Sequence, residues 1–288
     1  MKTIRLWAMC LVRLAAMCLV RLAAIIALLT MLGCQSAAPE TDQAKPSEQD
    51  SSLLVDSDWL LSQGQQRLGL SLDLAKNWQQ MMVPFLDQPA EWHHIELILR
   101  GQELQAALLE ASPWLFGNAP LDGRRDYASR ILYWPDNQQF LDNSPSHPFG
   151  GLLGDLTVPL TSDSLIYEHQ IYGLSNLTLG VTPLLGMLEG HGQPARTWQA
   201  FVQDPLHPRI AERRRQYLML GTELLIQEIE LTLASWQQRP DWGPEQWQQW
   251  QLNWTHEVAR YWHSLEASQP KPEVIEVLPL LLQRLEQQ

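Results

Sequence analysis

Cysteine is nearly missing from this 288-residue chain, and the three present, Cys10, Cys18 and Cys34, all stand within its first 34 positions. No pair is left to cross-link the rest, so a body of this size must hold together through its core; 45% hydrophobic residues and 13 Trp can supply one. Positive charge is scarce as well, with 20 Lys and Arg against 32 Asp and Glu. Removing the first 33 residues takes away Lys2, Arg5, Arg13 and Arg21 and no acid, which leaves 16 basic against 32 acidic residues and a net charge of −16. A phosphate-binding face needs the opposite sign, so nucleic acid is excluded as a partner, while cations and cationic peptides are favoured. Signatures of self-sufficient catalysis are absent too. There is no Gly-x-Ser-x-Gly elbow, no Gly-rich phosphate loop and no cysteine available as a nucleophile. His256 to Arg260 (HEVAR) begins like a zinc-protease helix but puts Arg260 where the second imidazole must stand.

What is present begins with an export signal. Lys2, Arg5, Arg13 and Arg21 make the start basic, and Leu22 to Leu32 is an apolar run of eleven residues broken only by Thr30, too short to cross a bilayer. Gly33-Cys34 follows, the arrangement of a lipoprotein signal in which Cys34 is acylated and becomes the mature N-terminus. The unit AMCLVRLA occurs twice in tandem, at 8–15 and 16–23, either a duplication or the mark of a start at Met17. Gln35 just after the Cys is the sorting residue expected for the outer membrane, on its periplasmic face. Residues 34–52 are rich in Ser, Pro, Ala and acids and lack apolar periodicity, which makes them a tether. As a random coil, the 18 residues Gln35 to Ser52 reach about 25 Å.

Residues 53–288 read as one all-α domain, a bundle of about five to seven helices. Trp59 to Leu86 forms the first helix, ended near Pro84, and Glu91 to Ala111 the second, antiparallel to it. Leu165 to Leu188 gives a third, kinked or broken by Gly173, Gly180 and Pro183. Ala211 to Gln238 is a helix of about 42 Å. Pro244 to Ser268 and Pro272 to Gln287 complete the set. Residues 137–164 resist assignment because Pro145, Pro148 and Gly150-Gly151 interrupt them. Trp247, Trp250, Trp254, Val258, Tyr261 and Leu265 recur at three and four, the pattern of a packed face rather than of a sugar platform.

The stretch Phe116 to Asp136, FGNAPLDGRRDYASRILYWPD, concentrates Arg124, Arg125, Asp126 and Arg130 ahead of Ile131-Leu132-Tyr133 and closes on Trp134-Pro135-Asp136. Pro135 pushes Trp134 out of the helical region, so the segment reads as a short helix ending in an aromatic-backed corner with an acid on it. This order resembles the imelysin-like family, bacterial envelope proteins catalogued as metallopeptidases and in many cases tied to iron uptake. In the branch it resembles, Phe-Gly-Pro is followed by an Arg and a Trp-Pro-Asp corner. Phe116-Gly117, Arg124 or Arg125, and Trp134-Pro135-Asp136 take those places, with Asn118 where the family has Pro. Gly173 to Thr178 (GLSNLT) answers the family's Gly-Leu-Pro-Ala-Leu-Glu, with Thr178 in place of the Glu, and Glu212 to Trp236 is similar to its Arg-led, Trp-ended helix. The family's second half is longer, whereas 52 residues follow Trp236 here.

The resemblance places the site where the Arg124 to Asp136 corner meets the helix carrying Glu168, His169 and Tyr172. Arg124 and Arg130 would bind a carboxylate or hold Asp136, with Trp134 backing the corner, and Glu168 with His169 would meet a cation. The competing reading of the same residues is a structural ion-pair network. A second, weaker metal candidate is His93 with Glu96, three apart on one helix, although Glu96 groups with Arg100, Glu103 and Glu110 on a solvated stripe. Three functions are therefore expected. The first is a binding or accessory lipoprotein in cation or iron acquisition, attached to the membrane through Cys34 and partnered with an envelope uptake protein. The second is a metal-dependent peptidase, with iron or zinc implied by the resemblance, and the third a scaffold that binds partners without a site of its own.

Overall fold

Helix α1, Ser57–Asp87, forms because its apolar residues return every three or four positions. Leu60, Leu68, Ala75, Trp78, Met82 and Phe85 are all buried. Pro84 lies inside this helix rather than ending it: one amide donor is lost, but Gln88 N–H donates to Pro84 O at 2.9 Å and closes a last turn. The computed structural model describes residues 57–116, 128–133, 136–142, 150–190, 195–238 and single positions between 243 and 256. Among them the α-helices are α1; α2, Glu91–Glu110; α3, Ser112–Phe116; α4, Gln138–Leu141; α5, Gly151–Gly154; α6, Ser162–Glu168; α7, Val181–Glu189; and α8, Pro208–Gln237. Ala128–Arg130 and Trp198–Phe201 are 3-10 turns, and no strand occurs among the described residues, so the fold is all-α. The described residues belong to one compact unit, Leu53–Gln288.

Cross-links between helices fix the register of the core. Trp78 Nε1–H donates to Leu97 O at 2.8 Å, Trp114 Nε1–H to Leu60 O at 3.1 Å and Trp236 Nε1–H to Trp114 O at 2.9 Å. Each indole removes a large apolar area from water and meets its one polar requirement on the second lone pair of a neighbouring carbonyl. With Arg67 bonded to Glu110 near one end and Trp78 to Leu97 further along, α2 runs antiparallel to α1. Trp236 beside Trp114, Glu230 on Lys76 at 2.7 Å and Thr222 on Met82 at 3.3 Å make α8 antiparallel to α1 as well. Helix α7 closes the core against α2 and α8. It can do so only because Gly101 has no side chain: a Cβ there would lie 2.6 Å from Leu185 and 2.7 Å from Trp78. At the α8 C-terminus, Trp247 and Trp250 gather on Trp236, with ring centroids 6.4, 6.4 and 5.9 Å apart. Trp254, Thr255 and residues 257–288 lie outside the described residues, as do residues 1–56.

The single interrupted helix expected at Leu165 to Leu188 is two helices separated by an irregular turn. Thr161 and Ser164 form a reciprocal capping box that starts α6, with Ser164 N–H on Thr161 Oγ1 at 3.1 Å and Thr161 N–H on Ser164 Oγ at 2.9 Å. His169 leaves the helical region at φ −63°, ψ 114°, and the chain becomes helical again only after Gly180. Pro183 falls in the first turn of α7, where its missing N–H removes no helical bond.

Several of the segments between the long helices are held by α8. Four consecutive residues, 213–216, point around a full helical turn and between them fasten the stretches at 142, 152–160 and 200–204. Arg213 donates to Leu152 O, Leu153 O and Val158 O at 2.9, 3.1 and 2.9 Å, satisfying carbonyls that the four-residue α5 cannot satisfy itself. Arg214 grips Asp142 at 2.8 and 3.2 Å and Asp204 at 2.8 Å, and donates to Ala200 O at 3.0 Å. Arg215 takes Phe201 O at 2.6 Å and Gln216 takes Leu160 O at 2.9 Å. Arg196 completes the cluster on Asp142 at 2.7 Å and anchors to Met187 O at 2.6 Å. Two arginines and two aspartates thus balance in charge where water barely reaches. Burial opposes the charge of Arg214, but Asp142 and Asp204 more than offset it and its pKa stands above the ordinary arginine value; burial prevails at Arg196, whose pKa is lowered.

His94 sits between α2 and the end of α7, buried, its ring against Phe85 and Phe201 at 5.7 Å each and its Nε2–H on Leu188 O at 2.9 Å. Burial lowers its pKa below the usual 6.5, the Leu188 bond works the other way, and the charge of Arg196 lowers it further. The folded state therefore prefers neutral His94. Its contribution to stability is complete above pH 6.5 and is lost as pH falls. Urea unfolding between pH 7 and pH 5 should show a falling midpoint in the parent chain and a flatter one in His94→Gln. Equal pH slopes in the two proteins would contradict this assignment.

Candidate functional site

The two segments singled out in the sequence do meet. The 3-10 turn Ala128–Arg130 is followed by Ile131 and Leu132, both fully buried, and Ile131 O accepts Val181 N–H at 3.0 Å at the start of α7. That contact needs Gly180: its φ is 101°, and a Cβ there would stand 3.0 Å from Ile131 O. A few residues on, Asn137 N–H donates to Ser175 O at 2.6 Å and its side-chain amide to Asn176 Oδ1 at 3.0 Å. Residues 129–131 and Asn137 are therefore joined to the stretch 169–181.

His169 lies at the centre of this junction. Its Nδ1 accepts Thr178 N–H at 3.4 Å and Leu179 N–H at 3.2 Å. Amide donors on Nδ1 place the ring proton on Nε2, which donates to Ser129 Oγ at 3.2 Å. Both nitrogens are thus engaged within the protein, and the lone pair a cation would use already receives backbone N–H groups. Thr178 is fully buried, and its hydroxyl donates to Leu165 O at 2.6 Å while its carbonyl accepts Tyr217 O–H at 3.2 Å. Burial pushes the Tyr217 phenol well above its ordinary pKa, and the negative charge of Asp136 raises it further. The Asp136 carboxylate oxygens are themselves shielded from solvent and sit close enough to be felt there. Arg130 donates to Glu228 of α8 at 3.3 Å. Glu168 is half-buried at the end of α6, its carbonyl accepting Ile171 N–H at 3.3 Å. Arg124, Trp134 and Cys34 lie outside the described residues.

His93 and Glu96 stand elsewhere, on α2. The His93 ring packs on Trp92 with centroids 3.4 Å apart, and Glu96 adds to the field on Arg100, whose own partner is Glu103 at 2.9 Å. Among the described residues no group of three or more His, Cys, Asp and Glu is arranged to hold a metal ion. A cavity of about 430 Å³ opens beside Gln199, Ala200, Gln203, Asp204 and Pro205, and none of the segments meeting at His169 lines it.

No family model and no curated protein matches the chain. What distinguishes the junction is its outward side. The turn from Tyr167 to Asn176 is closed by its own bonds: Gln170 N–H to Asn176 O at 2.8 Å, Gly173 N–H to Gln170 O at 3.3 Å, Asn176 N–H to Gly173 O at 3.0 Å and Gln170 Nε2–H to Leu174 O at 2.9 Å. Gln170 is held at φ 59°, a conformation side chains disfavour by about 1 kcal/mol or more. From this frame Tyr167, Ile171, Tyr172 and Leu174 project with 69, 37, 77 and 56% of their surfaces exposed. The residues sequence reasoning passed over are Asp142, Arg196, Asp204 and the Arg213–Arg215 run. The signal for them was three adjacent arginines in an acidic chain.

Replacing His169 by Ala removes the acceptor for two amides and the partner of Ser129, and should cost about 2–3 kcal/mol of folding free energy. Urea denaturation of the parent and His169→Ala chains measures this. Coincident curves would show that the ring does not hold the junction.

Proposed function

We propose that the chain is a lipid-anchored protein of the cell envelope, facing the periplasm, that works by binding through the Tyr167–Leu174 turn rather than by metal-dependent catalysis. One observation carries the reading: the junction uses its polar atoms inward, on His169, Thr178 and Ser129, and turns four apolar side chains outward. A reaction centre needs the reverse, polar groups poised toward the substrate. The imelysin-like order of motifs supports an accessory role in cation or iron acquisition, with the ion handled by a partner. Iron or zinc at the junction does not fit the donor set, because His169 has no lone pair left for it and Thr178 offers a neutral hydroxyl already donated to Leu165. The anchor is supported by Gly33-Cys34 at the end of the apolar run.

The test uses the full chain made in a Gram-negative host. Cys34→Ala should move the protein from the membrane to the soluble fraction. The detergent-purified parent should hold iron and zinc only below stoichiometric amounts and show no chelator-sensitive peptide cleavage. Stoichiometric metal, or cleavage lost with chelator, would overturn the proposal.

A further inference from the structure

The Tyr167–Leu174 turn has the properties of a segment built to enter the headgroup region of a bilayer, and we infer that it docks the body onto the same membrane that carries the Cys34 lipid. The inference rests on the binding role proposed above and names what is bound.

Three observations lead to it. The first is the side-chain set: two tyrosines, an isoleucine and a leucine within eight residues, all exposed, Tyr167 in the last turn of α6 and the other three in the turn that follows. Tyrosine combines an apolar ring with a polar tip and concentrates at the boundary between hydrocarbon and water. Phe140 packs edge-on against Tyr172 at 6.3 Å and stiffens that side chain.

The second is the backbone. A loop entering a low-dielectric interface must not bring unpaired peptide groups with it. Here the N–H groups of Gln170, Ile171, Gly173 and Asn176 donate within the turn and the Gln170 side chain takes Leu174 O, which leaves those of Tyr172, Leu174 and Ser175 to the water and polar groups of the headgroup region. The turn arrives already ordered, so docking costs little conformational entropy.

The third is distance. Twenty-two residues, 35–56, separate Cys34 from the first residue of α1. Their composition predicts a flexible tether with a random-coil reach of about 26 Å, for which even weak attachment of the body would be favoured by effective concentration. Charge selects the kind of surface. Asp163 precedes the turn and Glu168 lies within it, and the chain is acidic, so an anionic surface is disfavoured and the attachment is apolar, to a zwitterionic one. Phosphatidylethanolamine fits, since its headgroup carries no net charge for the acidic residues to repel.

The α2 stripe of Trp92, Ile95 and Leu99, exposed by 62, 52 and 59%, is the internal comparison. It is apolar too, but Glu91, Glu96, Arg100 and Glu103 stand among its residues.

The experiment places a single thiol-reactive fluorophore on the lipidated full chain, through Tyr172→Cys or Leu99→Cys. The labelled chains are reconstituted into phosphatidylcholine–phosphatidylethanolamine vesicles that carry a lipid-borne quencher. The parent chain, labelled in parallel, reports any thiol left unacylated and so separates a missing anchor from a missing dock. The label at 172 should be quenched and the label at 99 should not. Ile171→Ser with Leu174→Ser should abolish quenching at 172 while the anchor persists. Raising salt should leave it unchanged, and anionic lipid should weaken it. A label at 172 that stays in water, equal quenching at 99, or shielding of 172 only when a second protein is added would each overturn the inference.

Discussion

The buried pairing of Arg214 with Asp142 and Asp204 is the constraint on which the irregular half of this molecule depends. Long helices α1, α2 and α8 can find each other by apolar packing alone, since their faces are continuous and their register is fixed by indole-to-carbonyl bonds. The chain between α2 and α8 cannot. Its helices α4 and α5 have four residues each, too few to stand by themselves. It gains position from side chains of α8, where Arg213, Arg214, Arg215 and Gln216 reach out in four directions at once. Breaking a balanced buried pair by removing one partner costs about 3–5 kcal/mol, more than any one of these short segments could make up.

What the clasp positions is a junction and, beyond it, a turn. Gly180 lets α7 start against Ile131, Thr178 is pinned from both sides by Leu165 and Tyr217, and His169 reaches back to the amides after it. Each of these bonds lies on the inner side. The outer side is apolar, because four amides of the turn are paired within it and its large side chains stand exposed. An internally braced turn with exposed tyrosines is suited to recognition, and the engaged imidazole beneath it is suited to holding that turn still.

Much of this architecture is legible in the sequence, and the rest is hidden for identifiable reasons. Period-3.6 apolar faces reveal α1, α2 and most of α8, although α8 begins at Pro208 rather than near Ala211, since His207 accepts Arg209 N–H at 3.2 Å and caps it early. The break between α6 and α7 is announced by Gly173, Gly180 and Pro183, yet its size depends on where the His169 ring goes, which no local propensity encodes. Residues 128–137 and 168–181 can be nominated as neighbours from their order alone, but not the roles within them. A histidine beside a glutamate reads as a ligand until its nitrogens are seen to face amides and a serine. Three adjacent arginines stand out in an acidic chain, but their partners, Asp142 and Asp204, lie far away in sequence or across a turn. Pairing at that distance leaves no trace in a single chain.

Hydrogen exchange on the parent and on Asp142→Ala, read peptide by peptide, addresses the clasp most directly. If α8 holds the irregular half, protection falls across 150–160 and 196–204 in the variant while the interiors of α1 and α2 keep theirs. Undiminished protection in those two stretches would show that they are held by something other than the Arg214 cluster.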